Sequence, residues 1–302
     1  MKKRFLALGL TVALAAASLA ACGGASTKTT EKKAEAGTEQ GSEKATEAAK
    51  EEKADSGELR TYKLGVNGSD HEEWEKANEL LAKDNIKLEM VEFSDYVKPN
   101  EALEDGEIDL NAFQTEIYFN NFVKERGYTD LGILAYTQVA PMGIYSSKYK
   151  SLDEATGHLI IAIPNDVTNG GRALKFLEKN GFLTLKKEAG LTPTVMDIEK
   201  YNKDVEIVEM VATQIPASLP DLSFACINNG VAKDAGLTLK NDAIVYEDYK
   251  EPDMKNYWNI IAAKKDRIES EDFQKIKKAY NSDEVKQVVL EHYDGQSIPV
   301  WD

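Results

Sequence analysis

The sequence predicts an α/β protein built as two lobes, and three observations carry that prediction. Between residues 62 and 113, strand and helix patterns alternate as β-α-β-α-β, the order that makes a parallel sheet with helical crossovers. A second run of the same kind begins near residue 140. The C-terminal stretch is helical in pattern and follows one more strand, so it is expected to return to the first lobe.

Tyr62-Lys63-Leu64-Gly65-Val66 reads as a short strand that ends in the turn Asn67-Gly68-Ser69-Asp70. Trp74, Ala77, Leu80 and Leu81 then recur at helical spacing. Ile86, Leu88, Met90 and Val91 form a second strand. A helix begins over Pro99–Leu103 and ends at Asp105-Gly106, and Ile108 to Phe113 makes a third strand. In the second run, Ile160-Ile161-Ala162-Ile163 is a continuous apolar strand stopped by Pro164. Residues 170–180 make a helix with Leu174 and Leu177 on one face and Gly181 just past its end. Val205–Val208 and Phe224–Ile227 are further strands, and Tyr257 to Ala262 is the returning one. Phe273, Ile276 and Tyr280, then Val285, Val288 and Val289, mark the closing helices. The expected lobes are 58–138 and 139–261, with 262–302 as the returning helices.

The N-terminus sets the compartment. Lys2, Lys3 and Arg4 precede an uncharged apolar run from Phe5 to Ala17, shorter than the roughly 20 residues a spanning helix needs. This is the pattern of a secretory signal peptide, residues 1–21. Leu19-Ala20-Ala21-Cys22 resembles a bacterial lipoprotein lipobox, which implies acylation of Cys22 and a membrane anchor, each buried CH₂ contributing about 0.8 kcal/mol. Residues 23–57 hold no aromatic or β-branched aliphatic side chain. They cannot bury enough apolar surface to offset their ordering entropy, so 22–57 is the lipidated cysteine and a tether.

Composition excludes several functions. The formal charge of −15 becomes −18 once the three signal-peptide cations are removed, which argues against nucleic acid and against electrostatic adsorption to anionic lipid. The same charge favours a soluble monomer. Beyond Cys22 only Cys226 remains, so no intramolecular disulfide forms. His71, His158 and His292 lack metal-ligand spacing, and no cofactor is implied. There is no nucleophile-elbow pattern.

Four constellations follow strand ends, where α/β folds bind ligands. The first is Pro164-Asn165-Asp166-Val167-Thr168-Asn169-Gly170-Gly171-Arg172. A helix is expected to start near Gly170 with Asn169 or Thr168 as N-cap. Its free N–H groups favour an anion, and the glycine pair admits a ligand close to the backbone. Arg172 in the first turn suits a bidentate grip on a carboxylate, or else is a solvated cation. A phosphate loop is excluded, because no Gly-Lys-Ser/Thr follows the glycines. The second is Phe113-Gln114-Thr115-Glu116-Ile117-Tyr118, with Tyr96 upstream: three aromatics for an apolar wall, or for core, and Gln114 with an amide for a polar group. The third is Asn228-Asn229-Gly230, whose amides can bond both an ammonium and a carboxylate, or serve a turn. The fourth is Asn259 inside an apolar strand, where a buried amide needs a partner.

These residues carry a resemblance. Phe93-Ser94-Asp95-Tyr96-Val97-x-Pro99-Asn100-Glu101-Ala102-Leu103 resembles a signature of the NlpA-type lipoproteins, methionine-binding receptors of ABC importers. So do Gly106-x-Ile108-Asp109-x-Asn111-Ala112-Phe113-Gln114, Ile161-Ala162-Ile163-Pro164-Asn165-Asp166-x-Thr168-Asn169-x-Gly171-Arg172, and Ile227-Asn228. The match runs in order from about residue 61 to the end. It implies a type II-like periplasmic-binding-protein fold, each lobe a mostly parallel sheet flanked by helices, with a ligand in the interlobe cleft. It further implies that Arg172 and Asn169 hold a ligand carboxylate, Asn228 and Asn259 fix the amino-acid backbone, and Tyr96, Phe113 and Tyr118 pack a methionine side chain. The implied partners are the membrane and an ABC permease on its extracytoplasmic face. Three segments depart from the family pattern and are expected to touch or adjoin the pocket: Thr115 where histidine is common, Trp258 in Asp253–Asn259, and Leu222-Ser223-Phe224. They open the way to D-methionine, a methionyl dipeptide or a related amino acid. Two other readings stay in view: a lipoprotein hydrolase using Asp109, Glu116 or Asp166, and a surface adhesin on the same fold.

Overall fold

The computed structural model describes residues 57–301. The expected signal peptide, Cys22 and all but the last residue of the tether lie outside the described residues. The first lobe opens with β1 (Arg60–Asn67), α1 (Glu72–Leu81), β2 (Ile86–Phe93), α2 (Lys98–Asp105), β3 (Leu110–Asn111), α3 (Glu116–Arg126) and β4 (Leu131–Val139). The second comprises β5 (Gly143–Tyr145), β6 (Leu159–Pro164), α4 (Val167–Lys179), β7 (Leu183–Leu185), β8 (Ile198–Tyr201), β9 (Val205–Met210), α5 (Ile215–Ser218), β10 (Phe224–Ile227), α6 (Asn229–Asp234) and β11 (Ala243–Tyr246). The chain then returns through β12 (Trp258–Lys264), α7 (Lys265–Ile268), α8 (Glu271–Tyr280), α9 (Asp283–His292) and β13 (Ile298–Pro299).

Two main sheets result, ordered β13-β4-β12-β3-β1-β2 and β11-β5-β10-β6-β9, with β7-β8 as a separate hairpin. Both are mixed rather than mostly parallel. In the first, β1 runs parallel to β2 and β3, whereas β12 is antiparallel to β3 and β4. In the second, β6 is parallel to β9 and β10, whereas β5 is antiparallel to β10 and β11. The βαβ crossovers account for the parallel halves. Strands that enter from the other lobe account for the antiparallel ones. Because β12 already lies in the first sheet, the chain has come back ahead of the boundary expected at 262.

Packing explains the strand patterns. β6 and β10 are nearly all apolar because helices cover both faces of their sheet. Leu174, Phe176 and Leu177 of α4 pack on one side against Ile161, Ile163 and Phe224, while Ile215 and Val231 pack on the other against Ala225 and Ile227. In the first lobe, Trp74, Ala77 and Leu81 of α1 meet Leu64 and Leu88 of the sheet, and Phe273, Ile276, Val285 and Val289 close over them. The C-terminal helices thus dock on the first lobe, with the Trp74 and Tyr280 rings 4.2 Å apart. Gly106, at φ +74°, ends α2 by adopting the left-handed conformation that lets its N–H reach the last carbonyls. The third strand is shorter than Ile108–Phe113: only Leu110 and Asn111 join the ladder.

Candidate ligand-binding site

The carboxyl ends of β1, β2 and β3 in one lobe and of β6 and β10 in the other open on a single cleft of about 660 Å³, within the roughly 300–1,000 Å³ of small-molecule sites. All eight residues singled out from sequence line it: Tyr96, Phe113, Gln114, Tyr118, Asn169, Arg172, Asn228 and Asn259. They do not all act as expected.

The aromatic wall forms. Tyr96 and Phe113 have ring centroids 5.9 Å apart, Tyr96 and Tyr118 6.1 Å, and Phe113 and Tyr118 6.2 Å. Tyr118 donates its hydroxyl to the Tyr96 carbonyl at 2.9 Å, which fixes the triangle. Burial first, then the nearby Asp166 charge, pushes both phenols well above their ordinary range, so they stay neutral. Tyr96 also packs against the apolar core of the opposite lobe.

Gln114 plays a different part. Its amide nitrogen donates to Asn100 Oδ1 at 2.7 Å and Asn111 Oδ1 at 2.8 Å, and its oxygen accepts from Asn100 Nδ2 at 2.7 Å. Both donors are therefore engaged. The three amides are almost fully buried, and they position the β3–α3 turn rather than present a head-group ligand.

The start of α4 also departs from expectation. Asp166 is the N-cap, so Thr168 and Asn169 lie inside the first turn. Its carboxylate accepts from the Asn169 N–H at 2.8 Å and from Thr168 Oγ1 at 2.9 Å. The anion-seeking helix start is thus occupied by the protein's own carboxylate. Short-range capping favoured an aspartate followed by helix-compatible residues over the later glycine pair. Those glycines serve packing: a Cβ on Gly170 would meet the Pro164 carbonyl at 2.7 Å, and one on Gly171 would meet Thr192 Cα at 2.8 Å.

Arg172 makes the bidentate carboxylate grip that its type suggests, but to Glu247. Nε lies 3.0 Å from Oε1, and Nη2 lies 2.5 Å from Oε2 and 2.9 Å from the Ala140 carbonyl. The guanidinium stacks 4.3 Å over the Tyr257 ring. Arg172 is in the second turn of α4, and its Nη1 edge has no partner among the described residues. Glu247 was not legible in the sequence, since it sits 75 residues from Arg172 in no local motif.

Asn228 and Asn169 form a relay. Asn228 Nδ2 donates to Asn169 Oδ1 at 2.8 Å, and Asn169 Nδ2 donates to the Asp166 carboxylate at 3.0 Å. Asn228 Oδ1 is buried without a partner among the described residues, as are Asn67 Oδ1 and Gln138 Oε1 of two further cleft residues that sequence reasoning missed. Three orphaned acceptors on one cleft call for a donor-rich ligand group. Asn259 is half-buried and its backbone bridges Thr115.

Of the three divergent segments, two reach the cleft: Thr115 lines it while capping α3, and Asp253–Asn259 contributes Asn259, though not Trp258. Trp258 packs edge-on against Tyr136, and Leu222-Ser223-Phe224 lies at the opposite end of β10 from the cleft, because Ser223 receives the Ile160 N–H there. Asp109, Glu116 and Asp166 do not line it either. Asp109 pairs with Arg267, Glu116 accepts from Tyr136, and Asp166 caps α4. Glu73 is the buried carboxyl of the cleft. Burial raises it above its usual range, and Tyr293 donates to it at 2.8 Å. Asp70, Glu72 and His292 cluster closely enough to hold a metal ion. However, the Lys233 ammonium lies 2.6 Å from Asp70 and 3.1 Å from His292 Nε2, where a cation would sit.

With this geometry in hand, similarity to known proteins is informative. Residues 62–301 match the family model described as NlpA lipoprotein. A relative from Escherichia coli K12 named D-methionine-binding lipoprotein MetQ is 40% identical over 243 residues, covering 79% of this chain and 88% of the relative. The structure resembles a nutrient binding protein from Burkholderia cenocepacia bound to methionine, at TM-score 0.75 and 35% identity over 80% of this chain and 100% of that one. It also resembles the substrate binding protein of a methionine transporter from Streptococcus pneumoniae, at TM-score 0.75 and 38% identity over 80% and 96%. A two-lobed substrate-binding fold and a family match across nearly all of the folded part agree: this chain belongs to the NlpA lipoprotein family.

Proposed function

We propose that this protein is the methionine receptor of an ABC importer, anchored through acylated Cys22 on the extracytoplasmic face of a bacterial membrane. L-methionine is the ligand we assign, with D-methionine and methionyl dipeptides as the related compounds to test against it. The reading rests above all on one juxtaposition. An aromatic triangle and a set of orphaned amide acceptors share a cleft with the Nη1 edge of Arg172. The triangle suits a thioether, since sulfur near aromatic rings gains about 0.3–1.5 kcal/mol beyond area burial. The amide acceptors suit the α-ammonium, and Nη1 with Asn259 suits the carboxylate, while Asn169 holds Asn228 in place. The names of the B. cenocepacia and S. pneumoniae relatives support methionine as the ligand, and that of the E. coli relative specifies D-methionine.

In this reading the protein is a monomeric carrier without catalysis. Closure of the lobes buries the amino acid and completes a surface that the permease recognises. Every described element lies at or after Arg60, so the chain from Glu58 onward is the form to titrate, with its folding checked by circular dichroism. After unfolding and refolding to remove copurified ligand, titration with L-methionine should give tight one-to-one binding. D-methionine and glycyl-methionine in parallel rank the pocket's preferences. Folded protein that gives no heat with any of the three would overturn the assignment.

A further inference from the structure

The cleft contains two cationic side chains of the Lys or Arg type among the described residues, Arg172 and Lys233. Each already has a carboxylate: Glu247 holds Arg172, and Asp70 holds Lys233 at 2.6 Å. The positive end of α4 is likewise occupied by Asp166. Against these stand Glu73, Glu92 and Asp234 on the cleft wall, and the orphaned oxygens of Asn67, Gln138 and Asn228. The Arg172 and Lys233 charges and the α4 N-terminus are each matched by a carboxylate of the protein, which leaves the Nη1 edge of Arg172 as the donor for a ligand carboxylate. The buried side-chain atoms without a partner among the described cleft residues are acceptors.

Glu247 is central to that balance. It is buried to 8% exposure just past β11, on the segment that carries the chain back to the first lobe. Besides Arg172 it receives the Met142 N–H at 2.6 Å, and Arg172 itself donates to Ala140. One carboxylate therefore fixes the guanidinium plane, cancels its charge, and ties it to both crossings between the lobes.

We propose that Glu247 is a specificity-determining positioning residue: by neutralising Arg172 it makes the cleft select a zwitterion through its ammonium group and refuse an isosteric monoanion. This deepens the amino-acid receptor reading and rests on it. An ammonium supplies donors for the orphaned oxygens, and its charge offsets the carboxylate that enters beside the neutral Arg172–Glu247 pair. An anion of the same shape brings an uncompensated charge into a desolvated site, which is costly.

The test compares L-methionine with its hydroxy analogue, 2-hydroxy-4-(methylthio)butanoate, on the full chain purified in detergent and freed of ligand. The wild type should bind the analogue at least a hundredfold more weakly. In Glu247→Gln, which keeps an oxygen for Met142 and Arg172 but releases the guanidinium charge, that ratio should shrink at least tenfold. Circular dichroism melting confirms that the variant is folded. Parallel weakening of both ligands, with the ratio unchanged, would mean a merely structural role and overturn the proposal. A second measurement needs no variant. The analogue should enter with a proton, so its affinity for the wild type should rise about tenfold per unit fall in pH below neutrality, while that of methionine stays flat. Affinity for the analogue equal to that for methionine and insensitive to pH would overturn the proposal. Wild-type protein that binds neither compound would overturn the receptor reading beneath it.

Discussion

Arg172 has two obligations, one to the fold and one to the cleft, and its substitution separates them. The side chain is 4% exposed and its partner Glu247 10%. Truncating one member of such a pair leaves a buried charge alone, at a cost of about 3–5 kcal/mol. Arg172→Ala is therefore expected to lower stability by that order in urea unfolding as well as to weaken methionine binding at least tenfold. Arg172→Met with Glu247→Leu should recover most of the stability and none of the binding. Equal stability of Arg172→Ala and wild type would show that the pair is not buried in solution. At this scale the sequence was informative about residue type and silent about partners. A cation near a helix start, behind a polar loop, signals a carboxylate grip. Which carboxylate is a matter of tertiary structure, and Glu247 comes from the segment just past β11, 75 residues along the chain. The same holds for Gln114, whose side chain meets Asn100 and Asn111 only once α2 and β3 have packed.

At the scale of elements, α4 shows how a cap becomes part of a binding site. Asp166 accepts the Asn169 N–H and side chain together, and Asn169 in turn orients Asn228. Removing an N-cap costs about 0.5–2 kcal/mol. Asp166→Ala should lower the melting temperature accordingly. It should also weaken methionine binding, because the relay that aims Asn228 Oδ1 loses its anchor. Asp166→Asn, which keeps a capping oxygen, should restore much of the stability. A variant that melts early yet binds as well as wild type would detach the relay from the site. Periodic elements were readily legible here. Trp74, Ala77 and Leu81 repeat at helical spacing and do face the core, and Ile160–Ile163 reads as a strand covered on both sides. Less legible were elements whose ends depend on partners. The third strand shrinks to Leu110–Asn111 because only those residues pair in register with β1 and β12. The antiparallel halves of both sheets depend on strands arriving from elsewhere in the chain.

Taken as a whole, the molecule must hold two lobes together loosely enough to open. One side of the cleft has a polar seam suited to that. Lys233 of α6 reaches across to Asp70, lies 3.8 Å over the Tyr293 ring, and approaches His292. Nearby, Asn229 donates to the Gln296 carbonyl at 3.1 Å, and the Leu239 N–H donates to the Gln296 side chain at 2.7 Å. Burial alone would raise the Asp70 carboxyl, but hydrogen bonds from Lys233 and His292 outweigh it and hold Asp70 below its ordinary value of 3.8. A depressed carboxyl contributes its stabilisation above the unfolded value and loses it as pH falls through the folded one. The seam is therefore intact at neutral pH and weakens only in acid below about 3.8. Both partners are about one-third exposed, and ion pairs of that kind contribute only about 0.2–1 kcal/mol. Lys233→Met should accordingly speed methionine release by no more than about fivefold, since 1 kcal/mol is close to that factor. Carbon NMR of the Asp70 carboxyl should show its titration moving upward in the same variant. An unmoved Asp70 titration would mean that the lysine does not reach across in solution. Release slowed rather than quickened would mean that the ammonium props the lobes apart. The modest size of the expected effect matters for the mechanism: a receptor sealed by a strong buried pair at this edge would close without ligand, whereas a weak, partly solvated seam leaves closure to be decided by what the cleft contains.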